Sequence, residues 1–271
     1  MASGAITREA PASAAGRVHR ADPVGDALTI AWRNLLNIRR TPRLLVFATI
    51  QPIIFVLMFR YVFGGAINVP GVSYVNFLMP GIFVQTVVFG SLTTGIGLAE
   101  DLHKGLIDRF RSLPMARSAV LVGRSLADLC RNVFVVLLMA VVGFLVGWRL
   151  DHGWLGLPAA LLLVLAFSYA LSWVFAIVGL SAPDAETAQA MSFPLLAPLV
   201  FASSAFVPVK SMPDWLQWFA NHQPVSVVVN ATRDLTLGRP LGGDLVQAIA
   251  WMVAIVALCA PIAVSRYRRV A

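Results

Sequence analysis

The stretch "EDLHKGLIDRFRSLP", residues 100–114, carries three acidic and two basic side chains in its first ten positions and lies between two long apolar runs. Its setting decides the fold class. Apolar runs near 20 residues recur on both sides of it, and only helices or closed barrels carry backbone through a bilayer. Within the stretch, Leu102, Leu106, Phe110 and Leu113 recur at spacings of 4, 4 and 3, the stripe of an amphipathic helix. The pattern predicts a helix over 100–113, with Glu100 and Asp101 at its positive N-terminal end, Arg109 and Arg111 toward its negative end and Pro114 as its stop. Such a helix, bridging two spans in the cytoplasm, has two readings. It seats an apolar ridge in a groove of a soluble protein, with charges such as Lys104 and Asp108 fixing the register, or it rests on lipid headgroups.

The rest of the chain agrees with a membrane setting. Of 271 residues, 58% are hydrophobic and 13% charged, about half the charge usual in a soluble domain. Mean hydropathy is +0.78. The expected fold class is all-α, a polytopic membrane protein with six spans at roughly 44–64, 76–98, 118–148, 155–180, 188–208 and 245–265. Residues 1–23 lack the apolar core of a cleavable signal and read as a disordered cytoplasmic tail. In the following segment, 24–41, Val24, Leu28, Ala31, Trp32, Leu35 and Leu36 share one helical face opposite Asp26, Arg33, Asn37 and Arg40. That is a helix in the headgroup layer, or an ordinary amphipathic helix packed on protein.

The net charge of +8 sits beside the apolar runs, so it speaks against a nucleic-acid surface and sets orientation instead. Fifteen basic residues precede the first span, lie in 100–124 or follow the last span, against four in the intervening connections. Both termini, including 266–271, and the 100–113 helix are therefore expected in the cytoplasm. Cys130 and Cys259 both lie in apolar stretches, where a disulfide is not expected. The third run is interrupted: 133–148 is apolar but only about 24 Å long as a helix. Arg124, Asp128 and Arg131 precede it on one face, read as a salt-bridged cytoplasmic extension or a contact with another subunit. Between the last two spans, Trp215, Leu216, Trp218 and Phe219 follow a Pro213-Asp214 helix start, which predicts a short re-entrant or interfacial outer segment over 212–229.

Catalysis and ion coupling find little support. His19, His103, His152 and His222 all fall outside the expected spans, and no HExxH or CxxC occurs. "GSLTTGIG", residues 90–97, lacks the ending of a phosphate loop, so Gly90, Thr94 and Gly97 read as small residues that let helices approach. Arg60 lies about 24 Å along its span and either snorkels to the outer headgroups or meets an anionic or polar cargo.

"MFRYVFGGA", "PGIFVQTVVFG", "KGLIDRFRSLPMAR", "LVGRSLAD" and "QPVS" occur in that order. Together they resemble the ABC-2 family of transporter permeases, in its daunorubicin-resistance branch, over residues 24–265. The resemblance implies a six-helix half-transporter of the bacterial cytoplasmic membrane that pairs with a second copy or a related permease. It also implies two separate ABC ATPase subunits, which bind ATP and Mg; no cofactor falls to this chain. It places the connecting helix at 24–41, the re-entrant helices at 212–229, and the coupling helix at 100–113, with Glu100, Asp101, Leu102, Lys104, Leu106, Asp108, Arg109, Phe110 and Arg111 at the ATPase contact. Arg60 departs from the family pattern, where an uncharged residue is usual. The second and fifth spans are then expected to line the substrate path, with Gln85, Thr86 and Thr93 on one and Phe201, Ser203 and Ser204 on the other. The implied function is export of an amphipathic drug-like or lipidic molecule, hence drug resistance. The alternatives are a cell-envelope lipid or glycolipid as cargo, or a channel or scaffold with no motor.

Overall fold

The computed structural model describes residues 23–40, 42–65, 67, 69, 71–105, 117–150, 156–240 and 242–270. These residues contain helices and turns, with no strand among them. Helix α1 (Pro23–Arg40) leads to α2 (Pro42–Leu57), which passes directly into a π-helical turn, Met58–Phe63. Helices α3 (Tyr74–His103), α4 (Arg117–Leu145) and α5 (Gly156–Gly179) form the centre. Then come α6 (Ala185–Phe201), the short α7 (Asp214–His222), α8 (Pro224–Leu237) and α9 (Gly243–Val270).

Local chemistry explains several boundaries. The Ser73 hydroxyl accepts the Asn76 N–H at 3.3 Å to start α3, and the Asp184 carboxylate accepts the Thr187 N–H at 2.7 Å to start α6. Pro224 opens α8, where its missing N–H costs nothing, and Gly238 closes it in the left-handed region, φ 60°.

Four helical segments among the described residues are long and apolar enough to cross a membrane: Tyr74–His103, Leu121–Leu145, Gly156–Gly179 and Gly243–Arg269. The chain is thus a multi-pass membrane protein. The other two expected spans are shorter. The apolar helix Thr49–Phe63 falls below full spanning length, and α6 has 17 residues, contains Pro194 and Pro198, and ends at Phe201. Large apolar side chains such as Leu145, Leu162, Val246 and Leu258 face outward, as a lipid solvent allows.

Helix α3 is the hub. It packs on α2, α4, α5, α6 and α8, and Leu78, Met79, Ile82, Phe83, Val84 and Val87 are fully enclosed. Its crossing with α5 is close enough that neither side tolerates a Cβ. One on Gly95 would meet the Phe175 carbonyl oxygen at 2.5 Å, and one on Gly179 would overlap the Gly95 carbonyl. Nearby, the Ser91 hydroxyl donates to the Ser168 carbonyl at 3.1 Å. The small residues of 90–97 thus act as packing surface. Gly90 and Gly97 make room for the side chains of Asn132 and Arg124 on α4.

Two expectations about local structure are corrected. Helix α3 does not stop at residue 98 but runs on to His103, so Glu100, Asp101 and Leu102 close α3 instead of opening a helix over 100–113. Gly105, at φ 66°, follows as the break. Leu106, Asp108, Arg109, Phe110 and Arg111 lie outside the described residues. In α1, which packs along α4, the buried residues are Ile30 and Ala31, while Leu28 and Trp32, expected on the same apolar face as Ala31, stand exposed.

Candidate functional site

A cleft of about 330 Å³ opens between α2, α3, α4 and α6. Gln51 and Pro52 come from α2; Gln85, Thr86, Phe89, Gly90, Leu92 and Thr93 from α3; Arg131, Asn132 and Val135 from α4; Gln189 and Phe193 from α6. Polar residues at 85, 86 and 93 of an otherwise apolar helix fall near one face, because seven or eight residues make about two turns. The cleft joins amide and hydroxyl groups with apolar and aromatic walls, the general composition of a small-molecule site.

The polar groups differ in how far they are committed. Thr86 and Thr93 donate back to their own helix, to Ile82 and Gly90 carbonyls, each at 2.7 Å. Asn132 donates to the Ser168 hydroxyl at 2.7 Å. Arg131 donates through Nη2 to the Gly90 carbonyl at 2.6 Å and to Asn132 Oδ1 at 3.3 Å, and faces Asp128 at 3.5 Å. Asp128 in turn accepts the Thr94 hydroxyl at 2.6 Å. Gln85 is 2% exposed, and its Oε1 has no hydrogen-bond partner among the described residues.

Of the residues expected on the substrate path or against the cargo, Gln85, Thr86 and Thr93 line the cleft, and Phe201, Ser203, Ser204 and Arg60 do not. Ser203 is buried and donates to the Val200 carbonyl at 2.6 Å. Ser204 donates to Asn230 at 2.8 Å, and Phe201 lies half exposed with its ring 6.1 Å from that of Phe206. Ser204 belongs to a cluster about Arg233, whose guanidinium donates to the Phe77 and Ser204 carbonyls at 3.2 and 2.8 Å and to Asn230 at 3.0 Å. It also stacks 3.8 Å from the Phe77 ring centre. Arg233, counted above as a charge of an outer connection, is buried and ties α8 to α3 and to the end of α6. Arg60 sits in the π-helical turn, half buried, 5.9 Å from the Tyr61 ring, away from the cleft.

Arg131 and Asn132 were missed as cleft residues. The Arg124–Asp128–Arg131 face read as one ladder along α4. The structure divides it: Arg131 faces Asp128, whereas Arg124 reaches Asp101 of α3 at 2.5 Å. The available signal was Gly90, a gap on α3 that admits the Asn132 side chain. At the end of α3, Lys104 pairs with Glu100 at 2.5 Å, and the hydrogen bond to that carboxylate pushes the ammonium pKa up. Both side chains are exposed, so the pair adds little stability.

Comparison with known proteins agrees with this architecture. Residues 26–237 match the family described as ABC-2 type transporter. The chain is 37% identical over 256 residues to the daunorubicin resistance ABC transporter permease protein DrrB1 of Streptomyces coeruleorubidus, covering 94% of this chain and 90% of that one. It is 29% identical over 230 residues to the probable doxorubicin resistance ABC transporter permease protein DrrC of Mycobacterium tuberculosis, covering 82% and 80%. A putative transport permease, ycf38 of Porphyra purpurea, is 24% identical over 224 residues, covering 80% and 76%.

Proposed function

Because the chain belongs to the ABC-2 type transporter family and is the permease subunit of an ABC exporter, we propose that it moves a drug-like amphipath outward through the bacterial cytoplasmic membrane, driven by separate ATPase chains. The observation that carries this reading is the cleft: a drug-sized space among spanning helices, with amides and one guanidinium set between apolar walls. A lipid or glycolipid remains the alternative cargo; resistance-type relatives and the cleft's small volume favour the drug-like molecule. The working unit is two permeases with two ATPases. In this reading α2 with its π turn and α6 complete six spans, both termini lie in the cytoplasm, and α7 with the start of α8 forms the outer re-entrant segment.

The coupling role goes to the segment that follows α3. Residues 106–113 retain their apolar stripe, and Glu100, Asp101 and Lys104 at the end of α3 place charge beside it. Nucleotide and Mg are bound by the ATPase chains, which draw together and displace both coupling segments. The displacement passes along α3 to the cleft, where Gln85, Thr86 and Thr93 of the same helix lie.

Inside-out vesicles carrying the permease with its ATPase provide the test. ATP-dependent accumulation of daunorubicin is expected, with none when either subunit is omitted. Accumulation without the ATPase chain, or none in the complete assembly, overturns the proposal.

A further inference from the structure

We propose that the apolar groove between α5 and α9 seats an acyl chain of a phospholipid with a primary-amine headgroup, and that Asp234, Asp244 and Arg239 at its α8 end hold that headgroup. The groove shares no helix with the cleft, so this is a second site.

The groove has the length of one leaflet. Its lining runs from Ala159 to Ala170 on α5 and from Leu245 to Ala257 on α9. At 1.5 Å per residue those stretches are about 17 and 18 Å, close to half of the ~30 Å hydrocarbon core. Both begin in the first turn of their helix, near Gly156 and Gly243. The groove therefore starts at one membrane face and ends near the midplane. Ala159, Ala166 and Ala170 recur at spacings of 7 and 4, so small side chains share one face of α5. Leu162 and Val253, 70% and 62% exposed, stand out from α5 and α9. Every lining side chain is apolar, and the space enclosed is about 770 Å³. A hydrocarbon chain gains packing contacts there that a flat helix face does not give it.

The α8 end carries the charge. Gly156 leaves room for the Leu235 carbonyl, so the end of α8 lies across the start of α5, and Leu235 lines the groove. Asp234 and Asp244 each directly precede a lining leucine, Leu235 and Leu245. Both carboxylates are partly buried, whereas Arg239, whose N–H donates to the Asp234 carbonyl at 2.9 Å, is exposed. None of the three side chains makes a hydrogen bond or close ion pair among the described residues. Burial raises the Asp234 pKa and the Asp244 charge raises it further, so a cation between the two relieves both. A primary ammonium, like that of lysine, donates three hydrogen bonds, and the phosphate of the same lipid meets Arg239. A choline headgroup has no N–H to donate, and a glycerol headgroup brings only negative charge. A second copy of the chain fits less well, because a two-fold axis along the membrane normal would set the same carboxylates against each other.

Purified permease in micelles is offered equal amounts of dioleoyl phosphatidylethanolamine, phosphatidylcholine and phosphatidylglycerol, and retained lipid is identified by native mass spectrometry. Retention of phosphatidylethanolamine is expected, preferred roughly tenfold or more over the other two. Asp234→Asn combined with Asp244→Asn should abolish the preference. Arg239→Gln should weaken all three lipids alike, since each carries a phosphate. Ala166→Leu adds bulk at an exposed position, leaves the core untouched and should lower retention of all three. No preference in the unmodified permease, a preference that survives the paired Asn variant, or retention that ignores Ala166→Leu or Arg239→Gln each overturns the site. A change of oligomeric state in Ala166→Leu at unchanged lipid retention assigns the face to a second copy instead. Retention is read without ATPase or transport, so its failure leaves the exporter reading standing.

Discussion

The ion pair between Arg124 of α4 and Asp101 of α3 offers a sharp test of how the last turn of α3 is held. The contact is 2.5 Å, and the side chains are 19% and 18% exposed. That is neither a surface pair, worth about 0–1 kcal/mol, nor a fully buried one, whose disruption costs about 3–5 kcal/mol. Asp101→Asn should fall between, at about 2 kcal/mol. An arginine cannot shed its charge, and Arg124 Nε is buried with no partner among the described residues. Arg124→Gln should cost less, because the abandoned Asp101, on the last turn of α3 and partly exposed, can be met by water. The double variant should then cost less than the sum of the singles, with a coupling of about 1–2 kcal/mol. Unfolding of the purified permease in mixed micelles gives all four stabilities. Singles that each change stability by under about 0.5 kcal/mol, or costs that simply add, would refute the reasoning and make this a solvent-screened contact.

Other perturbations address the proposed machinery. Phe110→Ala should weaken recovery of the ATPase chain by about 2 kcal/mol, roughly thirtyfold in affinity, at normal membrane insertion; co-purification decides, and full recovery would leave the segment resting on lipid. A cysteine at Ser211 should react with an impermeant thiol reagent from outside and one at Ala271 should not, the reverse labelling contradicting the orientation. Asp184, whose pKa is held down by the Thr187 N–H, should contribute its cap above the range where an unfolded aspartate ionises. That contribution should fade as pH falls through the depressed value, and Asp184→Asn, which keeps a capping oxygen, should remove the acid sensitivity of melting while Asp184→Ala lowers melting at neutral pH.

The central helices were legible because their apolar runs are long, and four of them reach spanning length. Gln85, Thr86 and Thr93 were legible as cleft-facing positions, since polar side chains recur near one face of an otherwise apolar helix. The end of α3 was misread for a physical reason. Acidic residues favour a helix start, but the apolar period runs through Leu98 and Leu102 without a break, and only Gly105, at its positive φ, marks the stop. Ser203 and Ser204 illustrate another limit: a serine reads alike whether it faces a ligand or its own backbone, and here neighbours at 200 and 230 claim the hydroxyls. Arg131 was assigned to a ladder along α4 because spacing within one helix says nothing about the Gly90 carbonyl on another.

The α3–α5 crossing divides the labour of transport. Where Gly95 and Gly179 press backbone on backbone, sliding by even a fraction of a turn would drive a carbonyl into the opposite chain. These two helices therefore move as one body, a frame against which other parts can bend. The less constrained helices beside it are α2, with Pro52 and its π turn, and α6, with Pro194 and Pro198, whereas Pro80 of α3 is buried in the core. Both border the cleft. Any bending that changes access to the cleft would therefore fall on these two walls, while the Gln85 wall moves only together with α5.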